Sequence, residues 1–403
     1  MSRFDTAGER RALAARLARA GVLSSPELRA AVEAVPREVF LRPGVFLPED
    51  GGRWRPVLAA RTAPEEWAAI AYSDRSLATQ LDGHLTADQV GGWVRGTPTS
   101  SSTVPATVVS MIERMGLAEG HTVLEIGTGT GYSTALMCHR LGEDNVTTIE
   151  VDPRVATRAD DALEAAGYST WTVIGDGLVG HPRRAPYDRV VATCAVRRVP
   201  YTWVRQTRVG GRILATIGSW AYGTGLAEVT VHGDGTAQGR IVGRSSFMQA
   251  RSQATPTDLG DLEARAAYAD TERATRVSPN LLEEWMPAFL AQLTAPGSQF
   301  VHGADGTGAP VLYLFDSERE SFASFREGPT GWVVRQGGPV ALWDRVESTL
   351  IAWRAVGSPD VDCVRLHITD RSHTYWIGGG IGGSPVEPLG GAVDPLRWED
   401  RVA

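Results

Sequence analysis

Apolar positions along the chain fall into three regimes. Leu13 and Leu17 stand four apart among Ala and Arg, which predicts an amphipathic helix over residues 5–20. Ser25 is a fitting N-cap, Pro26 suits a first helical turn, and Leu28, Val32 and Val35 follow at helical spacing until Pro36 ends the run. Residues 41–96, interrupted by Pro, Gly and Trp, read as loop. Beyond Val104 the pattern becomes regular. Helices over 107–115, 132–141 and 156–166 alternate with short apolar strands over 122–126, 146–151, 170–174, 187–193 and 212–217. Strands alternating with helices of this length predict βαβ units and a parallel sheet. Residues 227–247 instead alternate around Gly233-Asp234-Gly235, predicting an antiparallel hairpin that closes that sheet.

A third regime starts near Gln249. Residues 251–261 are polar, contain Pro256 and read as a linker. Helices are expected over 262–274, 281–293 and 342–355, the last from Trp343, Val346, Leu350 and Trp353. Strands are expected at 311–315, 331–336 and 364–369. The run from Gly378 to Pro395, rich in Gly and Pro, predicts a flexible tail. The expected division is therefore 1–250, with a helical and loop-rich N-terminal part over 1–103, followed by a smaller α+β domain over 251–403. No internal repeat is visible.

Composition narrows the class. An apolar fraction of 42% and a charged fraction of 22% are those of an ordinary soluble globular protein. A net charge of -7 argues against a duplex nucleic-acid partner. Cys138, Cys194 and Cys363 are far apart and odd in number, which suits a reducing cytoplasm better than a disulfide framework. The eight histidines and these cysteines show no metal-ligand spacing, so no metal centre is expected. Arg10, Arg11, Arg16 and Arg19 break any signal-peptide run, and no stretch approaches the ~18 apolar residues of a membrane span.

The chemistry concentrates in Val123-Leu-Glu-Ile-Gly-Thr-Gly-Thr-Gly-Tyr132, where a strand runs into three glycines and then a helix. Gly127 can take positive φ, and Gly129 and Gly131 allow close approach of a ligand to the backbone. The helix start beyond them offers free N–H groups. The spacing is G-x-G-x-G, not the G-x-G-x-x-G of dinucleotide binders. Glu125 beside the turn suits a cationic, amine-bearing ligand such as the amino group and sulfonium of an activated methionine. Thr128 and Tyr132 complete the candidate loop. Glu150, about 20 residues on at the next strand end, is placed for ribose hydroxyls.

The E-x-G-x-G-x-G form resembles the first motif of class I methyltransferases, and that likeness implies that Asp176 and Gly177 meet an adenine edge. Further segments are similar to the protein-L-isoaspartate O-methyltransferases: Pro36-Arg-Glu-Val-Phe40, Tyr72-Ser-Asp74, Thr99-Ser-Ser-Ser-Thr-Val-Pro105, Gly175-Asp-Gly177, Ala185-Pro-Tyr-Asp188 and Gly210-Gly-Arg-Ile213. The resemblance covers roughly residues 1–250. It implies an α/β class I S-adenosylmethionine-dependent methyltransferase, doubly wound and Rossmann-like, with a smaller C-terminal α+β domain. It also implies S-adenosyl-L-methionine as donor, S-adenosyl-L-homocysteine as product, and an Asp or isoAsp carboxylate of a peptide or protein as acceptor. In that family a Ser-Gln-Pro segment faces the acceptor; here Thr103-Val104-Pro105 stands in its place, with Ser101 and Ser102 able to share the role. This departure and the extra domain lean toward an ordinary Asp in a ribosomally made, modified peptide, whose methyl ester closes to an aspartimide. Repair of L-isoaspartyl residues is the alternative. A nicotinamide-dependent oxidoreductase is disfavoured by the glycine spacing and the lack of a Tyr/Lys or His catalytic pair. His139 reads as packing or surface and Cys194 as a cleft-lining residue. The expected partners exclude nucleic acid and membrane.

Overall fold

The computed structural model describes residues 5–221, 223–254 and 261–378. The expected flexible tail past Gly378 and most of the expected linker lie outside the described residues. The chain divides into two compact units.

The first unit comprises residues up to Thr193 with Gln206–Arg212. Helices α1 (Ala7–Arg19) and α2 (Pro26–Ala34) form as the spacing predicts. Ser25 Oγ accepts the Leu28 N–H at 3.3 Å, the N-cap that the sequence offered. Residues 41–96 correct the expectation of loop. They hold strands β1 (Gly44–Glu49), β2 (Arg53–Leu58) and β3 (Leu77–Leu81) and helix α3 (Pro64–Ala71), and with β4 (Pro98–Ser102) the strands make an antiparallel sheet in the order β2-β1-β3-β4. Pro48 and Pro56 masked the alternation, although the β1–β2 turn carries Gly51 and Gly52 at φ of 73° and 69°. Phe46, Ala78, Leu81 and Ala87 form the core beneath this sheet, with Trp54 and Leu58 packed against it.

Helix α4 (Pro105–Met115) leads into the parallel layer. Its strands are β5 (Val123–Ile126), β6 (Val146–Glu150), β7 (Trp171–Ile174) and the start of β8 (Tyr187–Val196), in the order β7-β6-β5-β8. Helices α5 (Tyr132–Leu141) and α6 (Pro153–Ala165) link successive strands. All three pairings are parallel, with Ile126 opposite Ile149 on one side and Ala192 on the other. Every residue of β5 and β6 is buried, as expected for strands covered on both faces. Strand order reverses between β5 and β8, so the carboxyl ends of these two strands frame the crevice where doubly wound sheets bind ligands.

The second unit takes Cys194–Arg205 and the described residues from Ile213 onward. Helix α7 (Tyr201–Gln206) precedes β9 (Thr207–Ile217). The expected hairpin forms from β10 (Gly225–Val231) and β11 (Ala237–Arg244), with Val231 opposite Ala237. Next come α8 (Leu262–Ala266), β12 (Thr271–Ala274), α9 (Trp285–Thr294), β13 (Ser298–Ala304), β14 (Pro310–Asp316), β15 (Ser321–Gly328), β16 (Gly331–Gly337) and α10 (Leu342–Ala355). The five strands form an antiparallel sheet ordered β12-β16-β15-β14-β13. The helix expected over 262–274 stops at Ala266, because Thr271–Ala274 pairs with the edge of β16. Pairing across the sheet outweighs local helix propensity there. β17 (Val364–Ile368) then returns to β11, with Arg365 opposite Arg240, and β18 (His373–Ile377) lies beside β17. The five-stranded sheet is thus an insertion between β11 and β17, and the second unit takes over the chain at Ile213, where the sequence suggested a boundary near 250.

Candidate active site

The three glycines after β5 all take positive φ, 92° at Gly127, 56° at Gly129 and 87° at Gly131. Only glycine adopts these values without strain. The turn is tied down by its own backbone: the Gly127 N–H donates to the Ile149 carbonyl at 2.8 Å and the Gly131 N–H to that of Thr128 at 2.9 Å. A side chain at Gly131 would press on Leu163 and Ala159 of α6 at 3.3–3.5 Å, so this glycine serves helix packing. At Gly129 an added Cβ would come 3.6 Å from the Ser101 carbonyl, which places β4 against the loop.

Glu125 behaves differently from the sequence reading. Its side chain has no exposed surface, and its carboxylate accepts hydrogen bonds from Ser133 and Thr134, each at 2.5 Å, and from Thr148 at 2.9 Å. Thr148 also shares a hydrogen bond with Thr128 at 2.7 Å. Burial pushes the Glu125 carboxyl up to about 7, against the pull of the three hydroxyls. A carboxyl so enclosed fastens the start of α5 to β5 and β6 and has no face left for an incoming amine. Sequence spacing could not show this, because the hydroxyls that claim it lie 8, 9 and 23 residues further on.

Glu150, at the end of β6, is 7% exposed and reaches the loop directly. One oxygen accepts the Gly129 N–H at 3.0 Å and the other the Asp152 N–H at 3.1 Å. Asp176 accepts the Leu178 N–H at 2.9 Å and shapes the turn that carries Gly177. That glycine is required by space: a Cβ there would stand 2.4 Å from Ile126 Cγ2. The Gly175 N–H donates to the Glu150 carbonyl at 2.9 Å, so the ends of β5, β6 and β7 meet in one place. Gly127, Thr128, Gly129, Glu150, Asp176 and Gly177 lie together at these strand ends. Tyr132 is not an open wall of the site. It is buried, edge-on to Phe40 at 6.0 Å, with the Arg37 guanidinium over its ring.

The acceptor-side hydroxyls separate by strand alternation. Ser101 lies opposite Ala78 and Ser102 opposite Leu77, so their side chains leave opposite faces of β4. Ser102 is 2% exposed and its hydroxyl is enclosed. It is therefore not placed to meet an incoming carboxylate, whereas Ser101 and Thr103 are half-buried. A small cleft opens beside Gly129 and Thr130, lined also by Phe40, Thr79, Ser100 and Arg158.

Three contributors escaped the sequence reading. Thr193 on β8 donates to the Ile126 carbonyl at 3.1 Å and fixes the end of β5. Asp74 accepts the Ala106 N–H at 3.0 Å and caps α4, next to Thr103. Arg37, wholly buried, donates to the carbonyls of Ser102 and Thr103. Asp74 and Arg37 both lie in segments that carried the family resemblance, and that was the available signal. Among the described residues no group of His, Cys, Asp and Glu is arranged to hold a metal ion. No helix among them is long and apolar enough to cross a membrane. His139 shares a hydrogen bond with Tyr168 at 2.9 Å, in keeping with a packing role.

The family model described as protein-L-isoaspartate(D-aspartate) O-methyltransferase matches residues 62–254. A protein-L-isoaspartate O-methyltransferase of Ignicoccus hospitalis is 34% identical over 205 residues, 50% of this chain and 79% of that protein. One from Hyperthermus butylicus is 30% identical over 58% of this chain and 84% of its own length. A solved structure of a protein-L-isoaspartate O-methyltransferase superposes with a TM-score of 0.54 at 23% identity, covering 89% of this chain and 96% of that one. The fold likeness therefore reaches well past residue 254. On the matched length and identity, this chain belongs to the protein-L-isoaspartate O-methyltransferase family.

Proposed function

We propose that the chain transfers a methyl group from S-adenosyl-L-methionine to the carboxylate of an L-isoaspartyl residue in a peptide or protein. The observation that carries this is the junction of the Gly127–Gly131 loop with Glu150, Asp176 and the β4 segment at one strand-end crevice. The residues fit the donor: a glycine backbone open to close approach, an acid at the end of β6 for ribose hydroxyls, and Asp176 with Gly177 beside β5 for the adenine. Bound S-adenosylmethionine supplies an electrophilic methyl on a sulfonium. Everything else falls to this chain. A carboxylate with an ordinary pKa near 4 is already an anion at neutral pH, so no residue is needed to remove a proton. Thr103 and Ser101 hold one acceptor oxygen and leave the other in line with the methyl, and such orientation is a large part of the acceleration. Glu125 acts through α5, by keeping the loop in register. In the ester product, the neighbouring backbone nitrogen attacks the ester carbonyl. A C–N bond forms, the C–OCH₃ bond breaks, methanol leaves with the amide proton, and a succinimide remains.

A second reading takes an ordinary L-Asp in a ribosomally made, modified peptide as the acceptor. Thr103-Val104 in place of the family's Ser-Gln supports it, with the inserted sheet as the surface that recognises the peptide away from the reacting residue. Both readings put the activity in the cytoplasm. One experiment tests them together: matched peptides carrying Asp or isoAsp at one position, incubated with the chain and donor and followed for a gain of one methyl and a later loss of methanol. S-adenosylhomocysteine should raise the melting temperature and NAD should not. NAD binding without S-adenosylhomocysteine binding would overturn the methyltransferase reading, and methylation of the Asp peptide alone would favour the second acceptor.

A further inference from the structure

Arg37 follows α2 in a short helical turn and has no exposed surface. Its guanidinium makes five hydrogen bonds, all to backbone carbonyls. Nη1 donates to Ala71 at 2.5 Å and Ser73 at 3.0 Å; Nη2 donates to Arg75 at 3.2 Å, Ser102 at 3.4 Å and Thr103 at 3.2 Å. Among the described residues no carboxylate bonds to it. Asp74 is near enough to be felt, but its Oδ1 takes the Ala106 N–H. Glu38 accepts from Thr6 and Tyr72. Tyr72 and Tyr132, which also face the guanidinium, are pushed up by burial and stay neutral. Burial lowers Arg37 itself only to about 10, so it remains a cation at neutral pH.

A fully buried cation bonded only to neutral carbonyls is costly, and fold stability alone does not call for it. One of those carbonyls belongs to Thr103, which presents an acceptor hydroxyl, and another to Ser102, the link between Thr103 and Ser101. Arg37 Nε, Ser102 Oγ and Tyr132 OH, all buried, have no hydrogen-bond partner among the described residues, so the surroundings are more polar than packing requires. The proposed reaction brings a carboxylate anion to the Thr103 hydroxyl of this same segment.

We propose that Arg37 is a positioning residue for the acceptor: it clamps the Ser102–Thr103 backbone, and its charge, hydrogen-bonded to no carboxylate among the described residues, keeps the incoming carboxylate bound and ionised. This rests on the carboxyl-methyltransferase reading above. Arginine is needed because a planar fork serves carbonyls on both the 71–75 and the 102–103 segments, whereas a lysine is a single point charge.

The test uses the full chain and whichever peptide, Asp or isoAsp, it methylates. Arg37→Gln should lower kcat/KM about 100-fold while S-adenosylhomocysteine affinity stays within about twofold. The acidic limb of the kcat–pH profile should move up by about one unit, because the bound carboxylate loses its nearby cation. Arg37→Lys should lose rate by misplacing the segment yet keep the limb near its original position. A structural strut would lower the melting temperature and leave the limb unmoved, and an unmoved limb in Arg37→Gln overturns the proposal. If Arg37→Gln does not fold, Arg37→Lys is combined with Thr103→Val. Non-additive losses support action through Thr103; additive losses overturn it. Failure of the unsubstituted chain to methylate any carboxyl peptide is a separate result, which would sink the functional reading itself.

Discussion

A carboxyl group sealed inside a protein carries a pH dependence that mutation can expose. Glu125 is raised to about 7 by burial, from an ordinary value of 4.5. The folded state therefore binds this proton more tightly than the unfolded state does. The group's contribution is fully present below about pH 4.5 and is lost as pH rises toward 7, by about 3 kcal/mol at 1.36 kcal/mol per unit. Glu125→Gln keeps the shape and removes the titration, so its stability should fall less steeply than the parent's between pH 4.5 and 7. Urea melts of both proteins across that range measure it, and parallel curves would show that the three hydroxyls hold the carboxylate charged without penalty. At this scale the glycine motif was legible, because three positive-φ positions within five residues are a local signal. The direction of Glu125 was not, since Ser133, Thr134 and Thr148 decide it from two other elements. Nor was the burial of Ser102, which depends on the phase of β4 against β3.

At the scale of elements, the crevice depends on how closely strand ends pack. Gly177 admits no Cβ because Ile126 Cγ2 would lie 2.4 Å away. Gly177→Ala should cost about 1–3 kcal/mol of stability and weaken S-adenosylhomocysteine binding, since overpacking displaces one strand end from the other. Ile126→Ala vacates that space, so the double variant should be more stable than the two separate losses predict. Thermal melts of the four proteins close the cycle; strict additivity would mean that the turn moves away freely. The helices and strands of the parallel layer were readable because period and caps agree, as with Ser25 and Pro26 before α2. The β1–β4 sheet was not, because strands of five or six residues broken by Pro48 and Pro56 carry too little alternation to stand out.

For the whole molecule, the division of the chain was the hardest feature to foresee. Composition changes near Gln249, yet strand pairing ignores that change: β17 returns to β11 across the inserted sheet. Such long-range pairing leaves no trace in local periodicity. Ending the chain at residue 254 would therefore do more than remove a module. It would strip the β11 edge of its partner and delete Leu366 and Ile368, both fully buried and worth about 2 kcal/mol each. The shortened protein should aggregate or melt well below the full chain; a soluble monomer with an unchanged melting temperature would show that β10–β11 stands alone. The same topology has a consequence during synthesis. Arg240 pairs with Arg365, so the edge of β11 must wait for about 125 further residues to leave the ribosome. At translation rates of 5–20 residues per second that is roughly 6–25 s of exposed strand in a nascent chain. Early termination or a stalled ribosome within residues 245–363 would release an uncapped β-edge, the kind of species that chaperones and proteases must clear.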